Sequence, residues 1–262
     1  MITSVQNTKV KLVRQLLGAK KFREKAHLIV IEGVRLAEES LAAQIPIRLC
    51  LFCERMSERG HKIKDRIQAL SIETEEVSVD LMGRLSDTKT SQGILLVTSI
   101  PELPLENEVD SVIALDKIRD PGNMGTILRT AAAMHVGAVL TTPGTTDLYS
   151  PKVMRAAMGA HFHIPIRTMR PQEILSFCKE RNKTKLSILL SDANCPKACW
   201  EIDLTKPVCI LIGSEAEGVS EEMREIVDEC TSIPMNSDAE SFNAAVSASI
   251  LMYEMNRQRN IK

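Results

Sequence analysis

No stretch of the 262 residues comes near the roughly 18 consecutive apolar residues that a membrane-spanning helix needs. The opening MITSVQNTKVKLVRQ carries basic residues with no apolar run after them, so it does not read as a secretory leader. G-x-G is absent throughout, and so is G-x-x-x-x-G-K. The first absence removes the glycine fingerprint of dinucleotide folds and of Rossmann-type methyltransferases, and the second removes the phosphate-loop enzymes. A disulfide framework is not evident either. Seven cysteines, an odd number, are scattered from Cys50 to Cys230, which suits free thiols in a reducing compartment. Cys50 and Cys53 lie close together, as do Cys195 and Cys199, but neither pair has a second Cys or His pair placed to complete four ligands. The expectation is a soluble cytoplasmic protein with core cysteines and no metal site.

Net charge is also nearly absent, at −1, but this conceals an asymmetry. Lys9, Lys11, Arg14, Lys20, Lys21, Arg23, Lys25 and Arg35 fall within the first 35 residues, against only Glu24 and Glu32. A basic cluster at one end is either an electrostatic footprint for nucleic acid or a solvated helix face, and charge alone does not decide between them.

Periodicity supplies the architecture. Val10, Leu12, Val13, Leu16 and Leu17 recur at helical spacing among lysines and arginines, which predicts an amphipathic helix over 9–25 with a basic outer face. HLIVIEG, IRLCLFC and GILLVTSI read as strands, with VRLAEESLAAQ and KIKDRIQAL as helices between them, so residues 1–98 form a small α/β unit. The stretch 99–110 holds two prolines among polar residues without periodicity and reads as a linker. From 111 to 262 the alternation resumes: SVIALD, GAVLT, LSILLSD and VCILIG as strands, with helices at MGTILRTAAAMH, PKVMRAAMG and NAAVSASILMYEMNRQ. Short continuous apolar strands suit a mostly parallel sheet covered on both faces.

Three segments of this second domain carry chemistry. In LDKIRDPGNMGTILRTAAA a strand ends at Asp116, Pro121 and Gly122 turn the chain, and Asn123 is placed to cap the next helix. Gly125 and Arg129 share a helix face there, so free backbone N–H groups and a guanidinium could together grip a phosphate. VCILIGSEAEGVSEEM runs from a buried strand into Gly213, Glu215 and Gly218; a tight turn explains the glycines but does not require Glu215 between them. TSIPMNSDAESFNAAVSASI puts Ser241 and Asn243 at the entrance of the last helix, where each can cap backbone or touch a ligand.

The order and spacing of these segments resemble the three motifs of the SpoU (TrmH-like) branch of the SPOUT RNA methyltransferases. The resemblance covers 111–257 and includes SPKVMRAAMGAHFHIP, while NTKVKLVRQLLGAKKFREKAHLIVIEGVRLAEESL is similar to the L30e-like substrate-binding domain that precedes many such enzymes. It implies an α/β fold with a C-terminal trefoil knot, a homodimer whose active site forms near the subunit interface, and S-adenosylmethionine held by the knot. The matching positions place Gly213, Ile233, Met235 and Phe242 around the cofactor, and Asn123, Arg129, Glu215, Ser241 and Asn243 in the catalytic group. Ser237 stands where glycine is usual and Phe242 where leucine is usual. The implied reaction is methylation of a ribose 2′-hydroxyl in ribosomal RNA, with Lys9, Lys11, Arg14, Lys20, Lys21, Arg23 and Arg35 facing the RNA. A non-catalytic RNA-binding or ribosome-assembly factor on the same scaffold is the alternative, and a methyltransferase for a small molecule or protein is a third reading.

Overall fold

The computed structural model describes residues 1–88, 90–214, 216–236 and 241–260. They form two compact units, Met1–Pro101 with Tyr149–Phe162, and Glu102–Leu148 with His163 onward.

In the first unit the basic N-terminal segment is two helices, where periodicity predicts one. Helix α1 (Thr8–Gly18) buries Val10, Val13 and Leu16 and is capped by the Asn7 side chain, which accepts from the Lys9 N–H. Ala19 is extended, with φ −133°, and α2 (Lys20–Ala26) restarts the helix. Strand β1 (Leu28–Glu32), helix α3 (Val34–Ala42), β2 (Ile47–Phe52), α4 (Glu58–Ala69), β3 (Thr74–Glu76), α5 (Val79–Leu85) and β4 (Ile94–Ser99) follow. The sheet order is β1-β4-β2-β3, with β4 antiparallel to both its neighbours and β2 parallel to β3. Its apolar runs are buried on both faces: Leu28 and Val30 pack with α1 and α5, Ile29 and Ile31 with α3 and α4. Cys50 and Cys53 fall into opposite clusters, so they are separate core thiols.

The second unit begins with β5 (Ser111–Leu115), helix α6 (Pro121–Ala133) and β6 (Ala138–Thr141). Helix α7 (Pro151–Ala157) belongs to the first unit, where Met154 joins the core of Ile29 and Ile63. Then come β7 (Ile166–Thr168), α8 (Pro171–Ser176) continuing into a π-helical turn, β8 (Ser187–Ser191), β9 (Val208–Ile212), α9 (Glu221–Arg224), β10 (Glu229–Thr231) and α10 (Ala244–Asn260). All pairs are parallel, in the order β10-β8-β9-β5-β6-β7. Strands β5 and β9 are buried at every position, as a parallel sheet covered on both faces requires. Strands β8, β9 and β5 are neighbours, so the loops that leave their carboxyl ends lie side by side.

Not all seven thiols are free, contrary to what the odd count suggested. Cys195 and Cys230 form a disulfide, while Cys50, Cys53, Cys178, Cys199 and Cys209 are free and buried. Strand β10 lies beside β8, which brings together two cysteines 35 residues apart. The odd count is therefore no evidence for a reducing compartment. Among the described residues no helix is long and apolar enough to cross a membrane.

Candidate active site

At the carboxyl end of β5, Asp116 is 1% exposed and fully engaged. One carboxylate oxygen accepts from the Thr142 hydroxyl at 2.6 Å, the other from the Ser220 N–H at 2.7 Å. A buried carboxylate is costly unless its lone pairs are used, so this residue fixes the ends of β6 and the β9–α9 loop relative to β5. Sequence reasoning passed over it as the last residue of a strand.

Helix α6 starts with a division of labour that differs from the expected one. Asp120, not Asn123, is the N-cap, accepting from the Asn123 N–H at 2.7 Å, and Pro121 takes the first helical position. Proline has no N–H to leave unsatisfied there, so DP was the readable signal. Asn123 is thereby released for a tertiary role. Its side-chain oxygen accepts from the Asn243 amide at 3.0 Å. Asn243 in turn caps α10, accepting from the N–H groups of Ala245 at 2.9 Å and Val246 at 3.3 Å.

The loop after β9 turns so tightly that Gly213 and Gly218 pass backbone against backbone. A Cβ on Gly213 would lie 2.3 Å from the Gly218 carbonyl carbon, and Gly218 has φ +65°. Ser214 and Gly218 exchange N–H···O bonds of 3.0 Å, closing the loop. Beside it lies a cleft of about 290 Å³, at the lower edge of the roughly 300–1,000 Å³ common for small-molecule sites. Gly213, Ile233, Met235, Ser241 and Phe242 all line it. Ile233, Met235 and Phe242 are only partly covered, Phe242 remaining 39% exposed, so apolar surface faces the cleft rather than a core. Ser191, Asp192, Asn194 and Arg224, none singled out from the sequence, form its polar wall. Apolar side chains beside fixed backbone and a few charged groups fit a small ligand with both apolar and charged parts.

The remaining predicted residues fall elsewhere. Arg129 is exposed, has no ion pair with another described residue and does not line the cleft. Asn123 and Asn243 lie on a separate, largely apolar groove between α6 and α10, with Val246, Ile250 and Tyr253. Glu215 and Ser237 lie outside the described residues. Of the basic residues, two are already spent. Arg23 is 4% exposed, its guanidinium donating to the carbonyls of Leu16 and Leu17, so it closes the end of α1 instead of facing RNA. Lys9 pairs with Glu73 at 2.6 Å and with Glu75, and these bonds, Glu73 first, raise its pKa above the ordinary lysine value. The assignment of Arg23 to the RNA face is corrected on this geometry. Lys11, Arg14, Lys20, Lys21 and Arg35 are exposed.

Comparison with known proteins identifies the family. Residues 110–253 match the SpoU rRNA methylase family, and residues 7–96 match the MRM3-like substrate binding domain. The chain is 32% identical over 260 residues to the 23S rRNA (guanosine(2553)-2′-O)-methyltransferase RlmP of Bacillus subtilis, covering 97% of this chain and 98% of that one. The crystal structure of the SpoU methyltransferase AviRb from Streptomyces viridochromogenes in complex with S-adenosylmethionine superposes with a TM-score of 0.86 at 26% identity, covering 97% and 99% of the two chains. An rRNA methyltransferase from Sinorhizobium meliloti with S-adenosylmethionine bound also gives 0.86 at 26% identity, covering 98% and 97%.

Proposed function

This chain belongs to the SpoU rRNA methylase family, and we propose on that footing how its residues perform the reaction. It is an S-adenosylmethionine-dependent RNA methyltransferase acting on a ribose 2′-hydroxyl, with ribosomal RNA as substrate. The observation that carries the reading is the single cleft lined by Gly213, Ile233, Met235, Ser241 and Phe242 beside the Gly213–Gly218 turn. These residues would hold the cofactor, the apolar three offering surface to its base and the backbone of the turn offering hydrogen bonds to its polar groups.

When bound, the cofactor would supply an electrophilic sulfonium methyl group. The protein must bring the hydroxyl into line and accommodate the proton it loses. Arg129 binds an RNA phosphate and stabilises the charge that develops on the oxygen. A guanidinium carries donors and no acceptor, so the proton leaves through water or a phosphate. Asn123, Asn243, Ser241 and Glu215 fix the RNA and the arginine.

Arg129 is exposed and stands apart from the cleft lining of its own chain, which supports a homodimer in which it serves the partner's cleft. The groove between α6 and α10 is the surface for that second copy: Val246 and Tyr253 are 43% and 58% exposed there, beside Asn123 and Asn243. The C-terminal segment forms the family's trefoil knot, and the protein works in the cytoplasm. Lys11, Arg14, Lys20, Lys21 and Arg35 of the first unit hold the RNA by its phosphates, which orients the substrate without reading its sequence. The test is Arg129→Lys: turnover should fall at least about tenfold, since a point charge replaces a bidentate fork. Near-normal turnover and RNA affinity would overturn the role given to Arg129.

A further inference from the structure

We propose that Arg224 binds the carboxylate of the cofactor's amino-acid end, with Asp192 beside it to receive the ammonium, so that this ion pair selects S-adenosylmethionine over nucleosides lacking that tail. The proposal rests on the cleft being the cofactor site.

The cleft has two chemical ends. Ile212, Ile233, Met235 and Phe242 supply its apolar surface, while Arg224 is the one cation and Asp192 the one anion among its described lining residues. The cofactor has the same polarity: an adenine at one end, and at the other an α-carboxylate, its only anionic group, next to an ammonium. Each charge in the wall thus has one opposite charge to meet.

The pair is also arranged to present a donor. Asp192, 18% exposed, closes a turn after β8 by accepting from the Asn194 N–H at 3.0 Å and side-chain amide at 3.2 Å. Its other oxygen takes Arg224 Nη2 at 2.9 Å. Arg224 Nε donates to the Val219 carbonyl at 3.3 Å. Two of the three guanidinium nitrogens are therefore anchored, and Nη1 has no partner among the described residues while the side chain is 47% exposed. A guanidinium held at two points has lost most of its rotamer freedom before the ligand arrives, so its third nitrogen binds at little further entropic cost. The Asn194 N–H, and after it Arg224, hold the Asp192 carboxyl below the usual carboxylate range, so it is charged at neutral pH. Half-exposed ion pairs contribute little to fold stability, and α9 is only four residues long, so the fold itself gives this pair small reason to exist.

The test uses two ligands that share adenosine and thioether and differ in the amino-acid tail: S-adenosylhomocysteine, which has it, and methylthioadenosine, which does not. Calorimetric titration of the full-length protein should show Arg224→Gln losing about tenfold or more in affinity for S-adenosylhomocysteine, as expected for one charge-assisted bond, with affinity for methylthioadenosine within about twofold of wild type. Arg224→Lys should recover part of the loss. Parallel losses for both ligands, or no loss for either, would overturn the proposal while leaving the cleft as the cofactor site. Wild-type protein that binds neither ligand would overturn the cofactor assignment and this proposal with it.

Discussion

Asn243 donates its side-chain amide to the Asn123 side-chain oxygen at 3.0 Å, joining the first turn of α10 to the first turn of α6 across 120 positions of sequence. The same residue caps α10 with its own oxygen, so one side chain both starts that helix and ties it to α6. The two roles separate by mutation. Asn243→Ala removes both and should cost about 1 kcal/mol of stability, whereas Asn243→Asp keeps the cap, stays within about 0.5 kcal/mol, and loses the donor to Asn123. Chemical denaturation and methyl-transfer rates should show both variants slowed but only the alanine variant destabilised.

Charge reversal on the N-terminal helices should divide sharply by burial. Lys20→Glu with Lys21→Glu leaves the core untouched and should weaken RNA binding while reducing the salt slope by roughly 0.7–0.9 for each phosphate no longer neutralised. Arg23→Glu should unfold the first unit, because it replaces the donor that satisfies the Leu16 and Leu17 carbonyls with a buried acceptor. Filter binding across a salt series, with thermal melts of the same variants, separates the two outcomes.

The thiols give a chemical prediction. Alkylation of denatured, unreduced protein should label the five free cysteines, and reduction should add Cys195 and Cys230. Burial pushes the Cys50 thiol up to about 12 from an ordinary 9.0. A raised thiol pKa in the folded state means its contribution to stability is complete below pH 9.0 and is lost as pH rises toward 12, where the unfolded chain ionises first. Cys50→Val should therefore flatten the decline in urea midpoint across that alkaline range.

Mixed dimers test the shared site. An Arg129→Ala chain combined with a chain carrying Gly213→Val, whose side chain cannot fit 2.3 Å from the Gly218 backbone, should regain activity, because one of the two composite sites then has an intact arginine and an intact cleft. Each variant alone should be inactive. If the mixture stays inactive although the chains associate, Arg129 acts within its own subunit.

Legibility in the sequence followed hydrophobic content. Strands β1, β2, β4, β5, β6, β8 and β9 are apolar runs and could be read directly, as could the parallel character of the second sheet. Strands β3, β7 and β10 are three residues each, TEE, IRT and ECT, and all lie at sheet edges, where there is too little burial to leave a pattern. The break at Ala19 was hidden because the apolar spacing runs through it. Around the cleft, Gly213, Ile233, Met235 and Phe242 were assigned to the cofactor only through the family resemblance, and Asp192 and Arg224 by nothing in the sequence. They are 32 residues apart and meet only because β8 and β9 are neighbours. The signal that could have found Asp192 is its position just past a buried parallel strand, where sheet topology opens a ligand crevice.

The central claim is tested most directly by incubating the purified protein with labelled S-adenosylmethionine and ribosomal RNA from cells lacking it, followed by nucleoside analysis and site mapping. The account predicts a 2′-O-methylated nucleoside at a single position. Cofactor binding without methyl incorporation, into either free RNA or ribosomal particles, would contradict it and leave an RNA-binding factor built on a methyltransferase scaffold.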